Sequence, residues 1–181
     1  HNVGYCYFYG LAVRKNLVTA VVWFRKAAKK NYAPAQYALG LCYLNGQGVE
    51  QSDTTAIKWF LKAAEQGCAP AQQDLGYCHF NGRGVSKDKV EAVKWWRKAA
   101  VQSCDPARIN LGLAYAAGDG VAKDPVEAFA WFSLAGSTVE MAAVNRDGLQ
   151  KTVTSEEITA AKKRIEDLRR LINRPRSRND N

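Results

Sequence analysis

The sequence is poor in the residues that enzymes and metal sites most often use. Only two of its 181 residues are histidines. His79 lies next to Cys78, but neighbouring residues on a helix diverge by about 100° and do not pair as base and nucleophile. The glycine-rich segment NGQGV at 45–49 is not followed by Lys-Ser or Lys-Thr, so it is not a phosphate-binding loop. We therefore predict a protein without catalytic activity, cofactor or metal.

Long apolar runs are absent as well. No segment reaches the ~18 apolar residues that a membrane-spanning helix requires, so we expect no transmembrane segment. The first residues lack the charged, apolar and small-residue order of a signal peptide. Since the chain starts within a repeat, a targeting signal removed upstream is compatible with the sequence. We expect a soluble protein and assign it no compartment.

The five cysteines do not form a metal or disulfide pattern. An odd number leaves at least one thiol unpaired in a monomer, and no CxxC pair from which a zinc site is built is present. They fall instead at two positions that recur every 36 residues, with Cys6, Cys42 and Cys78 at one and Cys68 and Cys104 at the other. A cysteine at a recurring apolar position behaves as a small hydrophobic residue. We interpret all five as core residues with free thiols.

What the sequence does contain is a repeat of 36 residues. The segment LGLCYLNGQGV at 39–49 returns as LGYCHFNGRGV at 75–85 and as LGLAYAAGDGV at 111–121. One glycine per copy marks the register, at Gly4, Gly40, Gly76, Gly112 and Gly148. After each copy comes a segment with helical spacing, whose apolar residues in the second copy are Ala56, Trp59, Phe60, Ala63 and Ala64. Each unit is thus predicted to hold two helices, which bury their apolar faces only when the units stack.

The helix ends are marked too. Before each second helix stands a residue whose side chain accepts a hydrogen bond from a free helix amide, at Asn16, Ser52, Asp88 and Asp124. First helices open with a proline, at Pro34, Pro70 and Pro106. The spacing predicts capping boxes, in which two side chains each bond the other's backbone amide, for Asp88 with Glu91, Asp124 with Glu127 and Thr154 with Glu157.

The segment ALGLCYLNGQGVEQSDTTAIKWFLKAAEQGCAPAQ at 38–72 resembles the SEL-1-like repeat, a relative of the tetratricopeptide repeat. The resemblance covers residues 1–148. It implies an all-α, right-handed α–α superhelix, a solenoid of four to five helix-turn-helix repeats. Residues 149–173 are then expected to form a C-terminal capping helix, and residues 174–181 a disordered basic tail.

By the same resemblance the first helices of the units line the inside of the superhelix. Their outward faces would form a concave groove that suits an extended peptide or a partner helix. We predict a protein-interaction scaffold or adaptor that binds through Tyr5, Phe8, Tyr37, Leu41, Asn45, Gln73, Tyr77, Phe80, Asn81, Arg108, Ile109 and Leu113. Gln36 is expected to add a polar contact, and Arg108 to pair with an acidic partner residue.

Several alternatives stay open. Leu41, Leu44, Tyr77 and Phe80 also fit packing between adjacent first helices. The net charge of +9 is compatible with binding of a nucleic acid or an anionic membrane through Lys and Arg of the convex face, although no nucleic-acid motif supports this. A purely architectural role in a larger protein is a third possibility. The partner's identity is not predicted, and both a monomer and a weak homodimer fit the sequence.

Overall fold

In the computed structural model, residues 1–136 and 140–173 are described, and they form helices and turns without a strand. The predicted all-α class is confirmed. The ten helices of these ranges are α1 (Asn2–Tyr9), α2 (Leu17–Ala28), α3 (Ala33–Asn45), α4 (Asp53–Glu65), α5 (Ala69–Asn81), α6 (Lys89–Ala100), α7 (Asp105–Ala117), α8 (Pro125–Leu134), α9 (Glu140–Gln150) and α10 (Ser155–Ile172). The chain divides within α6 into two compact units, which we call unit 1 (His1–Trp95) and unit 2 (from Trp96 onward). The predicted tail at 174–181 lies outside the described residues.

In unit 1 the helices α1 to α5 pack in chain order, each against the next. The closest approach within a repeat is made possible by glycine. A Cβ atom at Gly4 would lie 2.6 Å from the Phe24 ring, and one at Gly40 would lie 2.5 Å from the Phe60 ring. Both phenylalanines are almost fully buried. The recurring glycine therefore lets the two helices of a repeat close on a buried aromatic ring.

The turn between the helices of each repeat uses two further glycines. Gly46 ends α3 in the left-handed conformation with φ 66°, where a side chain is strained. Gly48 also has a positive φ, and a Cβ there would lie 2.3 Å from the carbonyl oxygen of Leu17, at the start of α2. The second turn glycine is thus where one repeat touches the preceding one. In the first repeat its place is taken by Ala12, which adopts φ 59°.

The predicted N-caps are confirmed. The side chain of Asn16 accepts from the Thr19 amide at 3.0 Å and that of Ser52 from the Thr55 amide at 3.3 Å. Asp88 and Asp124 cap in the same way, accepting at 2.9 and 3.0 Å from the amides three residues later.

Of the predicted capping boxes, only the one at Thr154 and Glu157 is complete. The other two boxes have the hydrogen bond to the aspartate side chain but lack the predicted one to the glutamate side chain. The amide of Asp88 donates to the His79 carbonyl at 2.8 Å, and the amide of Asp124 donates to the Tyr115 carbonyl at 3.0 Å. Because these amides are satisfied by the preceding first helix, the glutamate side chains form other contacts.

In unit 2, α8 packs against α7, α9 and α10. A Cβ at Gly112 would lie 2.5 Å from the Phe132 ring, as in unit 1. The amphipathic helix α10 buries Ala161, Ile165 and Leu168, and Arg164 pairs with Glu127 of α8. Gly148, in the same register, lies in α9 and has open space where its Cβ would be.

All five cysteines are free thiols. Cys42 and Cys78 are buried, whereas Cys6, Cys68 and Cys104 are half-buried. Burial raises the pKa of the Cys42 and Cys78 thiols to about 11. These two therefore stay protonated at neutral pH, as expected of core residues.

Candidate functional site

The predicted partner-binding residues are divided between the two units. Nine of them lie on α1, α3 and α5 of unit 1 and are called here the first-helix surface: Tyr5, Phe8, Tyr37, Leu41, Asn45, Gln73, Tyr77, Phe80 and Asn81. The other three, Arg108, Ile109 and Leu113, lie on α7 of unit 2.

Exposure along the first-helix surface is uneven. Tyr77 is 52% exposed, and Asn45 and Asn81 are also exposed, whereas the other residues are half-buried. The Asn81 amide nitrogen donates to the Tyr77 carbonyl at 3.0 Å. Tyr77 is therefore the large side chain that this surface presents most fully to solvent.

The half-buried residues also serve the core. Tyr37 and Leu41 contact the buried cluster around Phe60, and Tyr5 and Phe8 contact the cluster around Phe24. The Tyr5 and Phe24 rings have centroids 5.1 Å apart. These four residues pack internally and remain partly exposed. Among them, Leu41 is the one for which the sequence left exposure and internal packing open.

A tyrosine and a carboxylate join α3 to α5 on this surface. The hydroxyl of Tyr37 donates to Oδ2 of Asp74 at 3.0 Å. Burial raises the pKa of the Asp74 carboxyl, and the hydrogen bond from Tyr37 opposes that shift in part. Burial and the Asp74 carboxylate together raise the pKa of Tyr37, so Tyr37 stays a donor.

Asp74 was not among the predicted site residues. A signal was present in the sequence, because the equivalent positions one repeat earlier and one repeat later hold Ala38 and Asn110. A single acid at a position that is otherwise uncharged marks a property of one repeat alone.

Arg83, in the turn after α5, bonds residues of α4 and α3. Its Nη2 lies 3.1 Å from Oδ1 of Asp53 at the start of α4, and it donates to the Leu44 carbonyl at the end of α3 at 3.0 Å. Arg83 therefore holds the turn against the preceding repeat and is not a free cation.

The predictions for Arg108 and Gln36 need correction. Arg108 is 8% exposed and Gln36 is 2% exposed, so neither is a surface contact. The guanidinium of Arg108 donates to the carbonyls of Ala100 and Leu134 at 3.1 and 2.7 Å. Its Nη1 also pairs with Asp105 at 3.1 Å. Because its donors bond these internal acceptors, Arg108 is not available to pair with an acidic residue of a partner.

The residues equivalent to Arg108 in the two preceding repeats also donate to internal carbonyls. Gln36 donates to the Ala28 carbonyl at 3.3 Å, and Gln72 donates to the Ala64 carbonyl at 2.9 Å. In each copy the acceptor lies eight residues earlier, at the end of the preceding second helix. The buried side chain thereby donates a second hydrogen bond to a carbonyl at the helix end, which also accepts the backbone amide three residues later.

Of the remaining residues on α7, Ile109 is 7% exposed and Leu113 is 42% exposed. Ile109 is therefore a core residue, which corrects its predicted place in the groove. Leu113 is on the surface of unit 2.

A second recurring contact is missing from one repeat. Arg25 donates to the Tyr43 hydroxyl at 3.0 Å, and Arg97 bonds the Tyr115 hydroxyl. The equivalent pair is Leu61 and His79. The buried Nδ1 of His79 has no hydrogen-bond partner in the part of the chain that the structure describes, and this repeat has neither the arginine nor the tyrosine.

Two lysines lie over tryptophan rings of their own helices. The Nζ of Lys26 is 4.8 Å from the centroid of Trp23, and that of Lys62 is 4.7 Å from the centroid of Trp59. Such contacts give these cations a structural role on their own helices. They reduce the support for a surface devoted to polyanions.

Beside Trp59 and Lys62 lies an open cleft of about 470 Å³. Its amide groups bond one another, because Gln66 donates to Gln36 at 2.6 Å and Gln36 donates to Asn31 at 3.0 Å. The cleft is therefore lined by polar groups that already satisfy one another.

Residues 1–136 and 140–173 contain neither a metal-ligand cluster nor a membrane-spanning helix. No group of three or more His, Cys, Asp or Glu side chains there is placed to hold a metal ion. No helix in these ranges is long and apolar enough to cross a membrane.

Comparison with known proteins gives one family model, described as the Sel1 repeat. It matches four segments, residues 1–32, 33–68, 69–103 and 105–137. No curated protein matches the chain.

Solved structures resemble the chain as well. A Sel1 repeat protein from Oxalobacter formigenes is 38% identical with a TM-score of 0.76, covering 80% of this chain and 60% of that one. The protein c5321, a protective antigen of uropathogenic Escherichia coli with an SLR fold, is 28% identical with a TM-score of 0.64, covering 99% and 49%. Helicobacter pylori cysteine rich protein B is 24% identical with a TM-score of 0.57, covering 72% and 95%, and shows the shared fold. The chain thus spans 60% and 49% of the first two structures.

Proposed function

Because the chain belongs to the Sel1 repeat family, whose members are generally non-enzymatic protein-interaction scaffolds, we propose that it binds a segment of a partner protein on the first-helix surface of unit 1. The observation that carries the proposal is the exposure of Tyr77, at 52%, between half-buried polar and apolar neighbours. Tyrosine is enriched among the residues that dominate binding energy, since its ring buries a large area and its hydroxyl still bonds.

The surroundings of Tyr77 support this role. Leu41 and Tyr37 on α3 present partly exposed apolar area, and Asn45 and Asn81 add exposed amides at the helix ends. An apolar centre with polar groups at its edge is the usual composition of a protein interface. Asp74 adds a negative charge to this surface, on which the Nζ of Lys89 lies 5.2 Å from the centroid of the Phe80 ring.

The test is a selection of peptides from a random-peptide display library on the immobilised chain. Peptides retained by the native chain are then measured against Tyr77→Ala. Tyr32→Ala is the matched control, because Tyr32 is 46% exposed and lies at the start of α3, outside the first-helix surface.

Loss of binding in Tyr77→Ala with binding kept in Tyr32→Ala supports the proposal. Equal binding to both variants and to the native chain would overturn it. Circular dichroism on each variant checks that helicity is unchanged, so that a folding defect is not taken for a binding defect.

A further inference from the structure

The first-helix surface holds a carboxylate whose charge is not neutralised within the described chain. Asp74 is half-buried on α5, and none of the ion pairs among residues 1–136 and 140–173 includes it. A carboxylate that has lost part of its hydration is stabilised only by hydrogen bonds or by a nearby cation. The Tyr37 hydroxyl supplies one such bond, to Oδ2.

Arg83, the cation nearest to Asp74 along the chain, does not form an ion pair with it. Arg83 spans Asp53 and the Leu44 carbonyl at 3.1 and 3.0 Å. Burial and the hydrogen bond from Tyr37 are the main causes that act on the pKa of Asp74. Asp74 is therefore left without an ion-pair partner among residues 1–136 and 140–173.

Aromatic side chains border this carboxylate. Tyr77 follows Asp74 by three residues on α5, which places the two side chains on neighbouring positions of one helix face. Tyr37 approaches from α3 through its hydroxyl. A carboxylate beside tyrosine rings favours a guanidinium or an ammonium, because the rings attract cations and the carboxylate accepts their hydrogen bonds.

We propose that Asp74 and Tyr77 form a pocket for one basic side chain of the partner, with arginine preferred over lysine. The preference follows from the planar guanidinium, which stacks on a ring while it donates to a carboxylate. The inference rests on the proposed function and adds the chemistry of the partner segment.

The net charge of the whole chain further restricts the charge that the partner segment can carry. With a net charge of +9, the chain repels a strongly basic partner at long range. Asp74 is a local exception to that charge. The partner segment is therefore one with a single basic side chain among neutral or acidic residues.

The first experiment is an NMR titration of the labelled full chain with N-acetyl-arginine amide and with N-acetyl-citrulline amide, a neutral compound of almost the same shape. The arginine compound is expected to shift the resonances of Asp74 and Tyr77 and to bind about tenfold more tightly than the citrulline compound. Asp74→Asn should remove that difference.

Glu65→Gln is the matched control. Glu65 is an exposed carboxylate of the same unit, so the substitution changes the net charge by the same amount. Equal effects of Asp74→Asn and Glu65→Gln, or equal binding of the arginine and citrulline compounds, would overturn the proposal. If Asp74→Asn does not fold, Tyr77→Leu replaces it, and it should lower arginine binding while leaving citrulline binding unchanged.

The two proposals can fail separately. Selected peptides that bind through Tyr77 but contain no basic residue would leave the proposed function standing and contradict the basic-side-chain pocket. If no selected peptide depends on Tyr77, the proposed function fails, while the arginine titration still decides whether Asp74 recognises a cation.

Discussion

Helix α5 of unit 1 and helix α7 of unit 2 hold different residues at equivalent positions of the repeat. The interior donors Gln72 and Arg108 differ in size and charge, yet both bond the carbonyl eight residues earlier. The outward positions share no such task, since Asp74 and Tyr77 in α5 correspond to Asn110 and Leu113 in α7. The repeat thus dictates what an interior side chain must do, whereas the outward residues differ between the two helices.

The largest effect is expected where an interior donor is removed. Arg108→Ala leaves the buried carbonyls of Ala100 and Leu134 without this donor, which should lower the free energy of unfolding by about 3 kcal/mol. Gln36→Ala should cost about 1 to 2 kcal/mol. Urea unfolding followed by circular dichroism measures both, and a smaller loss for Arg108→Ala than for Gln36→Ala would contradict the assignment.

A second pair of substitutions compares glycines in one register. At Gly40 a new Cβ would lie 2.5 Å from the Phe60 ring, whereas at Gly148 it meets open space. Gly40→Ala should therefore destabilise by about 2 kcal/mol through overpacking. Gly148→Ala should stabilise α9 by about 0.5 to 1 kcal/mol through helix propensity.

The measurement for this pair is thermal unfolding of both variants beside the native chain. Opposite shifts of the midpoint are the expected outcome. Shifts of the same sign would mean that the two glycines do not differ in their surroundings as the structure has them.

A third comparison restores a missing contact. The double variant Leu61→Arg with His79→Tyr should recreate the guanidinium–hydroxyl bond that Arg25 and Tyr43 form at 3.0 Å. The expected coupling is about 1 kcal/mol beyond the sum of the single variants. A double-mutant cycle in urea measures it, and a coupling near zero would show that the two positions do not interact.

The smallest effect concerns pH. Burial raises the pKa of Asp74 in the folded chain above its ordinary value of 3.8, so ionisation of Asp74 costs the native state stability at neutral pH. Tyr37, Cys68 and Cys78 nearby also have raised pKa values and stay neutral there.

Asp74→Asn should therefore be more stable than the native chain at pH 7. The difference should vanish as the pH falls below 3.8, where the carboxyl is protonated in both the folded and the unfolded chain. Unfolding midpoints across this range test the sign. A native chain more stable than Asp74→Asn at pH 7 would mean that the chain itself already compensates the charge.

Much of the fold could be predicted because the relevant signals are local. Helix periodicity and the caps at Asn16 and Ser52 each depend on neighbours within one repeat. These are the features that the structure confirms.

The candidate site was harder to predict because it depends on contacts between repeats. Periodicity assigns a residue to a helix face, but it does not say whether that face meets another helix. Arg108 looked like a surface charge, although its acceptors lie on the helices before and after it. Asp74 was passed over for the same reason, since its hydrogen bond comes from Tyr37 of the preceding repeat.

We propose that outward residues of unit 1, above all Tyr77, bind a partner segment. The most direct measurement is the dissociation constant of one display-selected peptide, by calorimetry, for the native chain, Tyr77→Ala and Tyr32→Ala. We expect about thirtyfold weaker binding to Tyr77→Ala, as for a central interface residue, and unchanged binding to Tyr32→Ala. Dissociation constants equal for all three proteins would contradict the claim.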